Sequence, residues 1–578
     1  MIYVDGAGRD TSKCCLPGTR EGILSEIKDW IDKTGEDVEQ VFWLSGTAGK
    51  GKSAIAHTIA SWFDERSGPG AYFCFDRTRE AERRHERIFT TIARDLADRD
   101  PIMRRTLARA VLDDNELRHT KDITRQWKKF ILGPVGALQT IDAPVLMVID
   151  ALDETGDERS REQILRMLAG NLNPFSSELT KFPTNLRILV TSRPLDDIRD
   201  VLDIASHVRH VSVDDTSHVS TESAEHDIQL YICTKLGGSR SAFNDGHFKV
   251  LSQKSDGLFE WARLACEHIM GKNRVGVNPM KRFKDLVTGS SEKGTPLLDK
   301  MYHNILAEIM PEDDEAIAAF RSVMGQIIAS LEPLSLSALN AMRLHFPSGD
   351  GDYRVEQVIG PMGSLITGTA DSQTPIRPLH ASFYDFLTDK SRSNKFYVDT
   401  SLVEGGLAFA SMRVMEHRLC FNICSLESSY LPNSAVLDLE ERVKKFIPAE
   451  LSYSCRFWAM HVRAMSFDSS LAKEIQAFFD GERILFWLEA LGLMGNLGSS
   501  VGALSYISDW LMVRSLAPLL VPTDSYELRG GHRVTTAVQI SVMLSGIPSA
   551  SFELLRQPFY TARHICTCPH CHLLLLSP

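Results

Sequence analysis

The chain has 578 residues, too many for one hydrophobic core, so we expect about three or four domains. Hydrophobic residues make up 43% and charged residues 24%, the composition of an ordinary globular protein, and the net charge of -11 argues against a large nucleic-acid-binding surface. No basic and apolar leader opens the sequence and no apolar run reaches bilayer-spanning length, so we expect a cytoplasmic protein.

The first part of the sequence alternates apolar strands with helical segments, which predicts a parallel sheet covered by helices on both faces. Strands are expected at 41–44, 71–75, 145–149, 186–191 and 208–213, and a long charged helical region at 83–110. Along the sequence, the strand at 71–75 lies between the first strand and the strand at 145–149. This order of strands favours a nucleotide-binding domain of the additional-strand type.

A glycine-rich loop follows the first predicted strand and leads into a helix at 53–60. Lys52 is expected to reach the β- and γ-phosphates of a nucleotide, and the Ser53 hydroxyl to ligate Mg²⁺. The free N–H groups at the helix start also favour phosphate. The alternative is a chance match, which the strand-loop-helix context disfavours. The eight loop residues that match G-x-x-x-x-G-K-[ST] are Gly46, Thr47, Ala48, Gly49, Lys50, Gly51, Lys52 and Ser53.

The strand at 145–149 ends at three acidic residues. Asp150 is placed to hold Mg²⁺ beside the phosphate loop. Asp153 or Glu154 is a candidate catalytic base that orients and deprotonates the attacking water. The alternative is that both only begin the next helix, where acidic side chains are favoured.

The strand at 186–191 ends in Thr191, Ser192 and Arg193, any of which is placed to sense a γ-phosphate. Arg193 is the strongest candidate because a guanidinium matches phosphate geometry. The alternative is a surface arginine that precedes a proline turn.

Helical spacing dominates from about residue 222 onward. Residues 359–387 add a short strand, a polar turn, a return strand and a helix, which predicts a winged helix without a basic recognition helix. Mainly helical segments follow from 396, and their aromatic pairs at 457–458 and 486–487 are interpreted as core. The cysteine- and histidine-rich segment at 566–572 resembles a haem-attachment or zinc pattern, but it lacks the export route or the separated ligand pairs these need.

These blocks together resemble the NACHT branch of the STAND signalling NTPases, and in detail the fungal NACHT proteins. The resemblance covers about residues 14–500. It is carried by the segment at 15–20, the phosphate loop, the blocks at 73–77, 149–154 and 190–194, and the later blocks at 256–262, 298–302 and 379–387.

The resemblance implies an ATP/ADP switch. Thr19 and Arg20 would lie in the segment that contacts the base, and His380 would contact the β-phosphate of ADP from the winged helix. His380 is also explained by a core role. Exchange of ADP for ATP would permit nucleotide-dependent self-association. Fungal members commonly add an effector domain and a repeat array, and neither is visible, so we expect a shortened relative or a truncated sequence.

The sequence therefore predicts an α/β P-loop NTPase domain followed by α-helical, winged-helix and further α-helical domains. It predicts ATP/ADP and Mg²⁺ as cofactors, slow hydrolysis as a reset, and signalling partners of unknown identity. Alternatives are a remodelling or motor ATPase and a nucleotide-locked scaffold without hydrolysis. The expected boundaries are an N-terminal lead at 1–14, the nucleotide domain at 15–215, helical, winged-helix and helical regions at 216–294, 295–395 and 396–510, and a tail at 511–578.

Overall fold

A computed structural model describes residues 3–516, with gaps at 5, 36, 67, 119, 139–143, 172–179, 217–218, 238–242, 272–277, 289–295, 311–312, 348–352, 370 and 429. The chain divides into two compact units. The first unit contains Met1–Ile309 and Pro378–Phe386, and the second contains Met310–Arg377 and the residues from Leu387 onward. The cysteine- and histidine-rich segment at 566–572 lies outside the described residues.

A five-stranded parallel sheet forms the centre of the first unit, as predicted. The strand order is β2-β3-β4-β1-β5, so β4 lies between β1 and β3 as the additional strand. The strand β2, which lies between β1 and β3 along the sequence, is instead at one edge of the sheet. The strands are β1 (Val41–Ser45), β2 (Gly70–Cys74), β3 (Val145–Asp150), β4 (Leu186–Ser192) and β5 (Val208–Ser212).

The central strands contain continuous apolar runs, such as 41–44 and 145–149, because both faces of the sheet are covered. In β1, Val41 and Trp43 pack into one hydrophobic cluster, whereas Phe42 and Leu44 pack into the cluster on the opposite face. This alternation follows from the two-residue period of a strand. The helices of the first unit are α1 (Glu21–Asp32), α2 (Lys52–Glu65), α3 (Ile88–Arg99), α4 (Pro101–Asp113), α5 (Ile123–Gln126), α6 (Gly133–Gly136), α7 (Glu158–Leu168), α8 (Asp196–Leu202), α9 (Thr221–Leu236), α10 (Asp245–Lys254), α11 (Phe259–Met270), α12 (Pro279–Thr288) and α13 (Leu297–Ile309).

The helical region expected at 83–110 is divided into α3 and α4. Pro101 disfavours helical backbone at the residue before it and lacks an N–H of its own. Asp100 therefore ends α3 and caps α4, because its carboxylate accepts the N–H groups of Ile102 and Met103.

Among the described residues, the remaining elements are helical except for one pair of two-residue strands, β6 and β7. They occur in the order expected for a winged helix, and that assignment stays a prediction. They are α14 (Asp314–Ala329), α15 (Leu336–Arg343), α16 (Val355–Ile359), β6 (Ile366–Thr367), β7 (Arg377–Pro378), α17 (Ala381–Thr388), α18 (Lys390–Ser393), α19 (Ser401–Arg418), α20 (Leu439–Phe446), α21 (Ala449–Ala464), α22 (Ser469–Asp480), α23 (Arg483–Leu493) and α24 (Ser499–Leu516).

The aromatic pairs of the second unit form core, as interpreted from their spacing. Trp458 and Trp487 are fully buried, and their ring centroids are 6.0 Å apart. No helix within the described ranges combines the length and the apolar character that crossing a membrane requires.

Candidate functional site

The loop between β1 and α2 has the backbone conformation that its glycines permit. Gly49 and Gly51 have φ values of 85° and 87°, in the left-handed region where a side chain is disfavoured. A Cβ at Gly46 would lie 2.3 Å from Val213 Cγ2, so only glycine fits against the end of β5. The predicted phosphate loop therefore has a tight, glycine-dependent structure.

Neighbouring elements of the first unit hold this loop in place. Asp214, two residues after the end of β5, accepts hydrogen bonds from the Thr47 N–H at 2.6 Å and the Thr47 hydroxyl at 3.0 Å. The N–H of Glu260 in α11 donates to the Gly49 carbonyl at 3.2 Å. Asp214 is not among the residues predicted from the sequence, although an acidic residue just after the expected strand at 208–213 is a signal for it.

Lys52 lies over its own loop. Its Nζ donates to the carbonyl oxygens of Gly46 at 2.7 Å and Thr47 at 3.0 Å. Burial lowers the pKa of the Lys52 ammonium, while the carboxylates of Asp153, Asp214 and Asp150 act in the opposite direction. Ser53, the next residue of α2, is exposed.

Of the two residues predicted to contact the base, Arg20 reaches the phosphate loop. Its Nη2 donates to the Lys50 carbonyl at 2.8 Å, and its guanidinium lies 4.9 Å from the ring centre of Phe259. Its Nε and Nη1 are buried and have no hydrogen-bond partner among the residues that the structure describes. Thr19 uses its hydroxyl within its own turn, donating to the Leu16 carbonyl at 2.7 Å. The base contact itself stays a prediction.

Asp150, the predicted magnesium carboxylate, ends β3 and is fully buried. The Thr191 hydroxyl donates to its Oδ1 at 2.5 Å, and the Tyr72 hydroxyl donates to its Oδ2 at 2.8 Å. Thr191 in turn accepts the Ala151 N–H at 3.0 Å. The structure therefore gives Thr191, one of the three candidate sensors, a hydrogen bond to the carboxylate that is predicted to hold magnesium.

The two candidate bases have different surroundings. Asp153 accepts the Arg193 N–H at 3.0 Å and the Arg193 Nε–H at 2.5 Å, one on each carboxylate oxygen. Burial opposes ionisation of Asp153, but Arg193 and Lys52 outweigh it and lower its pKa. The Glu154 carboxylate accepts only the Arg77 N–H, at 3.3 Å, among the hydrogen bonds found in the described residues. Burial, together with repulsion from Asp153 and Asp76, raises the pKa of Glu154 to about 8.

Arg193 joins the end of β4 to the segment at 378–386. Its Nη1 donates to Asp385 Oδ2 at 2.6 Å, and Arg77 Nη1 donates to the other oxygen of Asp385 at 2.8 Å. Burial opposes the charge of Arg193, but Asp153 and Asp385 together raise its pKa. The Arg193 side chain is 22% exposed and bridges two carboxylates, so it is fixed in place, and its role as a phosphate sensor stays a prediction.

His380 lies in the same segment as Asp385. The Ser382 N–H donates to its Nδ1 at 3.2 Å, and the Ser382 hydroxyl is 2.6 Å from the same nitrogen. Burial lowers the pKa of His380, and Glu260, Arg263, Lys52 and Asp385 also act on it electrostatically. The structure thus brings His380 within the electrostatic range of the phosphate-loop lysine. Its contact with a phosphate stays a prediction.

Comparisons with known proteins agree with this geometry. The family model "Nephrocystin 3, N-terminal" matches residues 18–193, which contain the phosphate loop, Asp150 and Arg193. The vegetative incompatibility protein HET-E-1 of Podospora anserina is 22% identical over 528 residues. Both matches support the resemblance to the fungal NACHT-domain proteins of the STAND class.

The match to the Podospora protein covers 85% of this chain but 36% of the relative, so the chain spans about a third of that protein's length. Among solved structures, a Walker-type ATPase of Pyrococcus abyssi aligns with 62% of the chain and 93% of its own length, at 12% identity and a TM-score of 0.31. The assignment as a P-loop α/β domain rests on the sheet order and loop geometry and not on that likeness.

Proposed function

We propose that this NACHT-domain chain is an ATP/ADP-switched signalling NTPase that binds ATP, hydrolyses it slowly and controls its own self-association. The observation that carries the proposal is the position of Arg193. It lies at the end of β4, where a γ-phosphate sensor is expected, and it is paired with Asp153 and Asp385. The relative's name, vegetative incompatibility protein, supports an output in fungal non-self recognition or cell death.

The Arg193 pairs support a competition between a phosphate and a carboxylate. A guanidinium binds either group through charge-assisted hydrogen bonds. A γ-phosphate that engaged Arg193 would weaken its bond to Asp385, and with it the attachment of the segment at 378–386. ADP has no γ-phosphate and would leave the Asp385 pair intact. The nucleotide acts as a switch only through such a difference in affinity between two states.

The residues at the loop fit a magnesium nucleotide. A carboxylate and a hydroxyl are oxygen donors of the kind that Mg²⁺ prefers, and Asp150 and Ser53 supply them at the end of β3 and the start of α2. The ion would neutralise developing phosphate charge. Lys52 would hold the β- and γ-phosphates, and His380 the β-phosphate of ADP. Arg20 donates to the phosphate loop, and two of its guanidinium nitrogens, Nε and Nη1, have no partner within the described part of the chain, which fits the base-proximal role.

Glu154 is the better candidate for the base. Both carboxylate oxygens of Asp153 accept hydrogen bonds from Arg193, the proposed sensor, so Asp153 positions Arg193 and is less suited to accept a proton from water. The raised pKa of Glu154 keeps much of it protonated at neutral pH, which supports slow hydrolysis. A motor ATPase would need steady, rapid turnover, whereas slow hydrolysis suits a switch. A nucleotide-locked scaffold would not hydrolyse ATP and would need no catalytic base.

The first test is the nucleotide that the protein carries. The chain would be purified without added nucleotide and denatured, and the released compound identified by chromatography. We expect near-stoichiometric ADP, because the Arg193–Asp385 pair favours the ADP state. Lys52→Ala is the control and should release none, since the phosphate-reaching cation is lost.

Other outcomes would overturn the switch. An empty site with rapid ATP turnover would favour the motor alternative. Bound, unhydrolysed ATP would favour the nucleotide-locked scaffold.

A further inference from the structure

Both oxygens of the buried Asp150 carboxylate are held by side-chain hydroxyl groups from the two strands beside β3. Thr191 at the end of β4 donates to one oxygen, and Tyr72 in β2 donates to the other. Each carboxylate oxygen has about two lone-pair directions, and the hydroxyl groups of the described residues use one on each, which leaves the other for a metal-bound water. Tyr72 is itself buried and takes no part in the phosphate loop.

A histidine in α2 fixes the direction in which Tyr72 donates. The backbone N–H of Asp10 donates to His57 Nδ1 at 3.1 Å, so that nitrogen is the acceptor. A neutral His57 then carries its proton on Nε2, which is 3.1 Å from the Tyr72 hydroxyl oxygen. The phenol accepts this bond and gives its own proton to Asp150. The His57 and Tyr72 rings also stack, with centroids 4.6 Å apart.

The start of this hydrogen-bond chain is anchored to the sheet. The segment that contains Asp10 is held along β2, because the Cys74 N–H donates to the Ala7 carbonyl at 3.1 Å. Arg83 donates to the Gly6 carbonyl at 2.7 Å and to the Cys74 carbonyl at 2.8 Å. The Asp10 N–H is therefore a fixed donor, and the order from backbone to carboxylate is Asp10, His57, Tyr72, Asp150.

We propose that Tyr72 and His57 are positioning residues for magnesium: they orient the Asp150 carboxylate so that it holds the hydrated ion of a bound nucleotide. This inference rests on the proposed function. Mg²⁺ demands near-ideal octahedral geometry, so a carboxylate free to rotate binds it less well. Groups that orient metal ligands typically contribute about 10- to 100-fold to metal affinity.

The test compares ATP binding with and without the ion. Binding of a fluorescent ATP analogue would be measured in EDTA and across a Mg²⁺ titration for the full chain and for Tyr72→Phe. We expect the Mg²⁺ concentration for half-maximal effect to rise by about tenfold or more in Tyr72→Phe, with unchanged affinity in EDTA. His57→Phe keeps an aromatic ring beside Tyr72 but loses the donor, and should shift the Mg²⁺ curve in the same direction.

The matched control is Tyr453→Phe in the second unit. Tyr453 is also buried and its hydroxyl is 2.7 Å from Nε2 of a histidine, His461, so the same chemical group is removed. Its Mg²⁺ curve should match the wild-type curve.

The outcomes separate this inference from the proposed function. Wild-type protein that binds no ATP overturns both. Wild-type protein that binds ATP independently of Mg²⁺, or a Tyr72→Phe curve equal to wild type, overturns the positioning role alone. A loss of EDTA affinity equal to the loss in Mg²⁺ would indicate a structural role and overturn it too. If Tyr72→Phe does not fold, the His57→Phe curve decides.

Discussion

Neighbouring carboxylates at the end of β3 are placed in different charge states by their surroundings. Asp153 is paired with Arg193 and its pKa is lowered, although burial opposes this. Glu154, one residue later, is half-buried and has no neighbouring cation that outweighs the cost of desolvating its charge, so its pKa rises to about 8. Environments that separate the pKa values of adjacent acids assign them different tasks. The sequence named both residues as candidate bases, but it did not contain the contacts that distinguish them.

The role of Glu154 as the catalytic base predicts a specific pH dependence of ATP hydrolysis. If it is the base, kcat/KM for ATP should rise with pH and level off above about 8, because the carboxylate form is the active one. Glu154→Gln should lower hydrolysis by roughly 100-fold or more and leave ATP affinity nearly unchanged. Steady-state phosphate release from pH 6 to 9 measures both. A Glu154→Gln variant that hydrolyses ATP normally would contradict the assignment.

The same group affects stability with a definite sign. A carboxyl whose folded pKa is raised contributes most below its unfolded pKa near 4.5, and the contribution is lost as pH rises toward about 8. The melting temperature of wild type should therefore fall more steeply than that of Glu154→Gln between these values. Parallel curves from differential scanning fluorimetry would contradict the raised pKa.

At the scale of elements, the segment at 378–386 is attached to the ends of two strands. Asp385 accepts Arg77, which follows β2, and Arg193, which follows β4. Tyr302 in α13 is 2.7 Å from the Ser382 hydroxyl and is fully buried. The block at 379–387 is recognisable in the sequence, but His380 is the one residue in it with a predicted role, the phosphate contact. Asp385 and Arg193 are 192 residues apart in the sequence, so no local sequence pattern reveals that they form an ion pair.

Removal of Asp385 should weaken the ADP-bound state. Asp385→Asn keeps the size of the side chain but loses the charge that holds both arginines. We expect ADP to dissociate about tenfold faster, which corresponds to about 1.4 kcal/mol. Stopped-flow release of a fluorescent ADP analogue measures the rate.

Asp197→Asn provides the control for that experiment. It removes a comparable partly buried ion pair, with Arg161, that does not include a predicted site residue. Its ADP release should equal that of wild type. Equal ADP dissociation rates for Asp385→Asn and wild type would show that the Asp385 ion pairs do not stabilise the ADP-bound state.

At the scale of the whole molecule, the proposed switch predicts a change in association state. A ligand shifts a two-state equilibrium only by its differential affinity, so ATP and ADP should favour different assemblies. Glu154→Gln with ATP should form particles that are multiples of the 64.6 kDa chain, whereas wild type with ADP should stay at one chain. Light scattering coupled to size exclusion measures the mass. Lys52→Ala should keep the mass of one chain with either nucleotide. A particle mass that does not depend on the bound nucleotide in any variant would contradict the switch.

The sequence alone determined the phosphate loop, the strand that ends at Asp150, the parallel sheet and the helical region that follows. These are local: a loop conformation needs glycines at fixed positions, and a buried strand needs a short apolar run. Only the tertiary structure decided that β4 lies between β1 and β3, that Tyr72 and Thr191 hold Asp150, and that Asp385 pairs with Arg77 and Arg193. Such contacts join residues far apart in the chain, because the register of neighbouring strands and the packing of helices bring them together.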